Sequence, residues 1–248
     1  MDSAKKNFSK LTRTKASSNA QINLKVEKSV HLSPDYQGSN LELSSDLMTV
    51  TGYKGYRSIL ANYPIIEGTY FFEAKIEKSD LSSFAGAEPQ VRIGIATKKF
   101  DSEISLGSDK WSYGYKSIDG NVVHDGIKRP YGEEYKGGDI IGCMIHMKPP
   151  KPKMRGEIVD NEKIEINEGS KLVFFKNGRS LGTAFMNLYE GFYHAGVSAY
   201  MNAKVHVNFG PYFETMLDLR ELDIEMRNYK PYCVRANEPK LYEDLEYF

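Results

Sequence analysis

The 248-residue sequence has little cysteine and no excess of charge of either sign. Its two cysteines are Cys143, which lies within an apolar run, and Cys233, so we expect free thiols and a reducing compartment rather than a disulfide framework. Lysine plus arginine and aspartate plus glutamate each total 33. With no net charge, no global field steers the chain toward nucleic acid or an acidic membrane. Any recognition of charge is therefore expected to be local.

Long hydrophobic stretches are also missing. The first residues, MDSAKKNFSKLTRTK, contain no apolar segment of the kind found in a signal peptide. No run in the sequence approaches the roughly 18 consecutive apolar residues that a membrane-spanning helix needs. These absences predict a soluble, intracellular protein that does not contact a membrane.

Motifs for catalysis and metal binding are absent as well. The histidines are scattered without metal-type spacing, at His31, His124, His146, His194 and His206. There is no Gly-x-Ser-x-Gly elbow, P-loop or dinucleotide fingerprint. The acid pairs Glu133 with Glu134 and Glu165 with Glu168 lie in loop-like sequence, where carboxylates are usually solvated. The sequence therefore predicts a protein that is not an enzyme and that holds neither metal nor cofactor.

Short apolar runs separated by Gly, Asp, Asn and Pro dominate what is present. In TYFFEAKIE the apolar side chains alternate with Glu73, Lys75 and Glu77, which is the pattern of a half-buried antiparallel strand. AKVHVNFG alternates in the same way. In KLVFFKNGRSLGTAF, Asn177-Gly178 stands between two apolar runs and is a strong hairpin signal. Many such runs without a long helical pattern predict an all-β antiparallel sandwich.

Three segments depart from this pattern. Residues 1–27 are polar and predict a disordered tail. Residues of about 148–170 mix proline and charge and predict a long mobile loop. Residues 214–248 form a C-terminal extension that ends in a short helix of about 239–248, with one apolar face. The residues of that face are Leu241, Leu245 and Phe248. The face either packs on its own domain or docks into the groove of a partner.

The basic part of the loop could touch an acidic surface such as a nucleic-acid backbone. Its residues are Lys148, Lys151, Lys153 and Arg155. A solvated loop is the plainer interpretation, because the acidic residues directly after it cancel the charge.

The order of several motifs carries a family resemblance. Across residues 91 to 213, five motifs follow one another in an order that resembles the SPRY domain, a concanavalin A-like β-sandwich. They are VRIGIA, LGSDKWSYGY, GGDIIGCMI, LVFFKNGRSLGTAF and VHVNFGPYF. Three further segments make the resemblance to one SPRY subfamily more specific: LMTVTGYKGYRSILAN, EGTYFFEAKI and GIKRPYGEEYKGGDIIG. Over residues 28–213 the chain is similar to the SPRY subunit of COMPASS-type histone H3 lysine 4 methyltransferase complexes, called Ash2 in animals, with a fungal counterpart.

The resemblance implies a nuclear, non-catalytic scaffold. In that family the SPRY domain binds an acidic segment of a WD-repeat subunit, and together they hold the SET-domain methyltransferase subunit in its active arrangement. A C-terminal helix docks on a small dimeric partner of the dumpy-thirty type, and Leu241, Leu245 and Phe248 sit where such a helix would lie. The nucleosome is a further candidate partner of the basic loop. The alternatives are a SPRY adaptor of a ubiquitin ligase or another signalling complex, and a sandwich-fold carbohydrate enzyme or lectin.

The peptide site of the family carries over onto Tyr56 in GYKGYRS, Arg92 in VRIGIA and Lys116 in YGYKS. Arg92 alternates with apolar neighbours, so we expect it to project outward beside Gly94, where an extended peptide could approach. Its planar guanidinium suits a carboxylate, so an acidic ligand is favoured. A surface ion pair is the plainer interpretation of Arg92.

Two departures from the family pattern affect this site. Ser105 and Ser108 stand where animal members have Pro and Tyr, and Lys116 stands where they have Arg. The site is therefore expected to be less aromatic, and Lys116 cannot bind a carboxylate with a planar fork. Either the acidic ligand has changed as well, or nearby groups such as Tyr113 and Tyr115 compensate. The remaining large aromatics, Trp111, Phe72 and Phe174, are expected to pack in the core.

Overall fold

The computed structural model describes residues 29–78, 89–150 and 164–238. Several segments named above lie outside these ranges: the predicted tail at 1–27 and the predicted C-terminal helix with Leu241, Leu245 and Phe248. The basic residues Lys151, Lys153 and Arg155 of the predicted loop also lie outside them.

The described residues form short strands that follow the apolar runs of the sequence. They are β1 (Leu32–Gln37), β2 (Leu41–Leu43), β3 (Thr49–Gly52), β4 (Arg57–Ala61), β5 (Gly68–Ile76), β6 (Gln90–Ala96), β7 (Ser112–Lys116), β8 (Asn121–His124), β9 (Ile127–Pro130), β10 (Ile140–Met147), β11 (Lys171–Lys176), β12 (Arg179–Met186), β13 (His194–Tyr200), β14 (Ala203–Asn208) and β15 (Lys230–Pro231). A short helix α1 (Ile224–Arg227) and a 3-10 helix (Tyr232–Asn237) follow β14 and flank β15.

The strands form two sheets. The first sheet has the order β1-β4-β13-β6-β7-β8-β9, and the second has the order β12-β11-β10-β5-β14-β3-β2. Neighbouring strands within these orders are antiparallel, and the two-residue strand β15 joins β5 in parallel. The antiparallel β-sandwich predicted from the sequence is confirmed.

The main core lies between the sheets and is built from alternate residues of each strand. Ile93 and Ile95 face it from β6, and Val205 and Val207 face it from β14. The expectation that Phe72 and Phe174 pack in the core is confirmed, because both side chains are fully buried there. Trp111 differs from the expectation. It is half-buried beside a smaller cluster on the outside of the first sheet, and the ammonium nitrogens of Lys99 and Lys110 lie 4.7 Å and 4.9 Å from its ring centroid.

The C-terminal extension covers the outer face of β5, which the alternation in TYFFEAKIE had predicted to face water. Phe71 and Glu73 on that face are therefore buried, at 0% and 1% exposed. Leu222 and Met226 of the extension pack over Phe71. The carboxylate of Glu73 accepts hydrogen bonds from the backbone N–H groups of Glu214, at 2.8 Å, and Thr215, at 3.0 Å.

The extension also enters the main core. Tyr232 is fully buried, and its ring lies 5.3 Å from that of Phe209 and 6.2 Å from that of Phe72. Its hydroxyl donates a hydrogen bond to the backbone carbonyl of Tyr63. The extension therefore packs against the sandwich as far as the last described residue, Glu238, whose Oε2 accepts a 2.6 Å hydrogen bond from the hydroxyl of Tyr70.

Two further sequence expectations concern the connections between strands. Asn177 and Gly178 join β11 to β12 with φ angles of 51° and 82°, so the Asn-Gly hairpin is confirmed. Asn167, within the predicted loop of 148–170, is 2% exposed and bonds both backbone groups of Lys148, at 2.9 Å and 3.0 Å. The described ends of that loop are therefore fixed to each other. Cys143 and Cys233 are free thiols.

Candidate functional site

The candidate site begins at a row of outward-facing residues on the first sheet. Strand pairing places Ser198 of β13, Arg92 of β6 and Lys116 of β7 side by side. Their neighbours Val91 and Ile93 point into the core, so the alternation of β6 sends Arg92 outward as the sequence predicted.

A second row, two residues along the strands, consists of glycines. Gly196, Gly94 and Gly114 lie side by side on β13, β6 and β7. The segment of residues 97–111, between β6 and β7, folds back over this row and places Leu106 on it. A Cβ atom added at Gly114 would lie 2.8 Å from the carbonyl oxygen of Leu106, and one at Gly196 would lie 3.1 Å from its Cδ2.

The space beside Gly94 is therefore not open to a foreign peptide, contrary to the sequence expectation. The glycines let the chain's own segment approach the sheet closely. Leu106 is fully buried, and its backbone N–H donates a 2.9 Å hydrogen bond to Oγ of Ser198. An incoming ligand is thus limited to the row that contains Arg92 and to the residues around it.

The guanidinium of Arg92 lies at the centre of the site. Its Nη1 donates a hydrogen bond of 2.8 Å to the carbonyl oxygen of Leu106, and its Cζ lies 5.1 Å from the ring centroid of Tyr56. Its Nε is buried without a hydrogen-bond partner, and within the described residues Arg92 forms no ion pair with a carboxylate. Burial lowers the pKa of Arg92, which the neighbouring Tyr56 partly offsets. An arginine nevertheless stays charged at neutral pH.

Tyr56 forms an aromatic wall beside the guanidinium. Its hydroxyl donates a 2.7 Å hydrogen bond to Oε1 of Gln90, and its ring centroid lies 5.1 Å from that of Tyr200. Burial raises the pKa of Tyr56, so the phenol is neutral at physiological pH. Sequence reasoning found Tyr56 but missed Gln90 and Tyr200, because neither carries a motif and both reach the site through strand pairing.

Lys116 does not stand open beside Arg92. Its side chain is buried, and Nζ forms a 2.5 Å ion pair with Oδ2 of Asp119. The other carboxylate oxygen of Asp119 accepts a 3.1 Å hydrogen bond from the backbone N–H of Asn121. Burial by itself raises the pKa of Asp119, but the hydrogen bonds from Lys116 and Asn121 outweigh it and the pKa is lowered. Sequence reasoning missed Asp119, although an acid three residues after a lysine at a turn is a readable signal.

Ser105 and Ser108 lie at the edge of the site. Their hydroxyl oxygens are 2.9 Å apart, and Oγ of Ser108 is 3.5 Å from Nη1 of Arg92. Tyr113 and Tyr115 do not reach the site, which corrects the sequence expectation. They are 3% and 0% exposed, because odd-numbered residues of β7 face the core.

The other features considered from the sequence are the basic loop, a metal site and a membrane-spanning segment. Lys148 is the described member of the basic loop; its side chain is 43% exposed, and its Nζ lies 3.4 Å from Oε1 of Glu225. Residues 29–78, 89–150 and 164–238 contain no group of three His, Cys, Asp or Glu side chains placed to hold a metal ion. None of the helices in those ranges has the length and apolar character needed to cross a bilayer.

Comparisons with known proteins agree with this architecture. Residues 69–151 match the SPRY domain family. The chain is 30% identical over 212 residues to the Set1/Ash2 histone methyltransferase complex subunit ASH2 of Drosophila melanogaster, covering 76% of this chain and 37% of that protein. It is 28% identical over 182 residues to the Set1 complex component ash2 of Schizosaccharomyces pombe, covering 58% and 27%. Ran-binding protein 9 of Homo sapiens is 30% identical over 188 residues, covering 72% and 22%.

The chain therefore spans between 22% and 37% of the length of these relatives. Among solved structures, the SPRY domain of human HERC1 aligns with a TM-score of 0.53 at 17% sequence identity, over 71% of this chain and 96% of that domain. That likeness supports the fold of the sandwich.

Proposed function

The chain carries a SPRY domain related to those of Ash2 subunits. We therefore propose that it is a non-catalytic scaffold of a nuclear Set1/COMPASS-type histone H3 lysine 4 methyltransferase complex. It binds an acidic segment of the WD-repeat subunit at Arg92. By holding that subunit it stabilises the active arrangement of the SET-domain subunit. The similarity to Ash2 proteins of fly and fission yeast supports the assembly, and the geometry around Arg92 supports the chemistry of the contact.

The observation that carries the proposal is the half-buried guanidinium of Arg92 without a carboxylate partner among the described residues. A cation withdrawn from water is costly unless an anion compensates it. A carboxylate arriving from another chain would supply that anion. Each charged hydrogen bond formed there contributes about 1.5–3 kcal/mol. The ring of Tyr56 and the hydroxyl of Ser108 border the same place, so they would contact the backbone or side chains of the segment.

Two further contacts belong to the proposal, and all of their residues except Lys148 lie outside the described ranges. Leu241, Leu245 and Phe248 would form the face that docks on the small dimeric subunit of the dumpy-thirty type. The basic residues Lys148, Lys151, Lys153 and Arg155 are candidates for contact with the nucleosome. Glu238, the last described residue, forms ion pairs with Lys230, at 2.7 Å, and with Arg235.

Affinity purification from the native source tests the assembly. We expect the wild-type chain to recover a SET-domain methyltransferase, a WD-repeat subunit and a small dimeric subunit. Arg92→Ala should lose the WD-repeat subunit, and removal of residues 239–248 should lose only the dimeric subunit. Lys204→Ala, which removes an exposed cation from the second sheet, is the matched control and should recover the full set.

Recovery of ubiquitin-ligase subunits in place of a SET-domain methyltransferase would overturn this assignment and favour the adaptor function. Full recovery of the WD-repeat subunit by Arg92→Ala would leave the assembly in place but would remove Arg92 as its anchor.

A further inference from the structure

Two cations occupy adjacent strands of the candidate site. Arg92 and Lys116 are direct partners in the pairing of β6 with β7. Like charges placed directly opposite on neighbouring strands repel each other. Of these two cations, Lys116 forms an ion pair within the described residues: its Nζ lies 2.5 Å from Oδ2 of Asp119. Within the described residues Arg92 has no acidic partner.

Asp119 lies close enough to act on both cations. It sits in the turn between β7 and β8, and its side chain is 35% exposed whereas that of Lys116 is 7% exposed. Burial is the largest influence on the pKa of Arg92 and lowers it, and the negative charge of Asp119 is a smaller influence that raises it. One carboxylate oxygen of Asp119 therefore contacts the ammonium group of Lys116. A carboxylate of an acidic ligand bound at this cation would take the same position.

We infer that Asp119 is an intramolecular competitor of the acidic ligand. Its carboxylate pairs with Lys116 and so limits how many carboxylates of the ligand the site can bind. This inference rests on the proposed function, in which an acidic segment binds at Arg92. With Asp119 in place, one carboxylate of the ligand binds Arg92. A second, adjacent carboxylate meets the like charge of Asp119 instead of a free ammonium group.

The competition has a consequence for selectivity. In the wild-type chain, a peptide with two adjacent glutamates gains little over a peptide with one. Replacing Asp119 by asparagine keeps the size of the side chain and an oxygen that accepts from the N–H of Asn121. It removes the charge and frees the ammonium group of Lys116, so a second carboxylate then finds a partner. The new contact lies in a mostly buried place, where an ion pair is less screened than at the surface.

Fluorescence anisotropy with two labelled decapeptides of otherwise neutral sequence, one carrying a single glutamate and one carrying two adjacent glutamates, tests the inference. We expect Asp119→Asn to bind the two-glutamate peptide about five- to tenfold more tightly than the wild type, and the one-glutamate peptide about equally or slightly more tightly. The gain should be lost in the double variant Lys116→Ala with Asp119→Asn.

Asp125→Asn is the matched control, because Asp125 is an exposed acid in the next turn of the same sheet, and it should bind as the wild type does. Thermal melting checks that each variant folds. If Asp119→Asn does not fold, Asp119→Ser tests the same point with a neutral oxygen in place of the carboxylate.

Equal or weaker binding of the two-glutamate peptide by Asp119→Asn would overturn the inference, because Asp119 would then be a positioning residue for Lys116. That result would leave the proposed function standing as long as the wild type binds either peptide in an Arg92-dependent manner. Failure of the wild type to bind both peptides would overturn the proposed acidic ligand itself, so the two failures are distinguishable.

Discussion

Nη1 of Arg92 donates a hydrogen bond to the backbone carbonyl oxygen of Leu106, over a distance of 2.8 Å. Leu106 in turn is fully buried against the outer side of the first sheet, in a cluster with Leu60 and Phe100. The residue that we propose to bind the ligand is thus oriented by a segment that is held in place by packing. The stability of that segment and the affinity of the site are therefore expected to change together.

Leu106→Ala tests this coupling. Removing a fully buried leucine leaves a cavity over the glycine row, so we expect the free energy of unfolding to fall by about 2–5 kcal/mol. The backbone carbonyl remains, but its position is no longer fixed, and affinity for an acidic peptide should fall at least severalfold. Urea unfolding and peptide titration measure the two effects. Ile127→Ala, at a side chain that is 67% exposed, should change neither. A loss of stability with unchanged affinity would show that Arg92 does not depend on Leu106.

Glu73→Gln tests the attachment of the C-terminal extension. The buried carboxylate accepts bonds from two backbone N–H groups and from the hydroxyl of Thr215, and an amide presents a donor to at least one of them. We expect a loss of about 1.5–3 kcal/mol in the free energy of unfolding. Hydrogen exchange of residues 214–231 should also become faster. Glu134→Gln, at an exposed side chain, is the control. Unchanged exchange in Glu73→Gln would mean that packing alone holds the extension.

His194 provides a pH-dependent contribution to stability. It is fully buried, its Nδ1 lies 2.7 Å from the carbonyl oxygen of Ala61, and burial lowers its pKa to about 4. Because the pKa in the folded state is below the value of about 6.5 expected for the unfolded chain, the contribution is complete above about pH 6.5. It is lost as the pH falls from there toward 4.

Unfolding of the wild type and His194→Gln at several pH values between 7 and 4 measures this contribution. We expect His194→Gln to be less stable at neutral pH and to show a shallower decline with acid than the wild type. Equal slopes for the wild type and His194→Gln would contradict the assignment.

The sandwich could be predicted from the sequence because its strands and turns show local sequence patterns. The alternation in AKVHVNFG and the Asn177-Gly178 turn depend on neighbours along the chain, and both appear in the structure as expected. The outward direction of Arg92 followed from the same alternation.

The parts that could not be predicted depend on contacts between distant residues. The burial of Glu73 and Tyr232 arises from an irregular extension that has no periodic pattern of its own. The space beside Gly94 is closed by the segment of residues 97–111, which turns back onto its own sheet. A glycine in a strand does not reveal whether the same chain or a foreign chain approaches it. Asp119 became relevant only once the turn after Lys116 placed its carboxylate on the ammonium group.

The central claim is that Arg92 anchors an acidic segment of another protein. Isothermal titration of the purified chain with a synthetic peptide rich in glutamate, at two salt concentrations, measures it most directly. We expect salt-sensitive binding by the wild type, a loss of at least tenfold in Arg92→Ala with little change in melting temperature, and an intermediate loss in Arg92→Lys, which keeps the charge without the planar fork. Binding by Arg92→Ala with wild-type affinity would contradict the account.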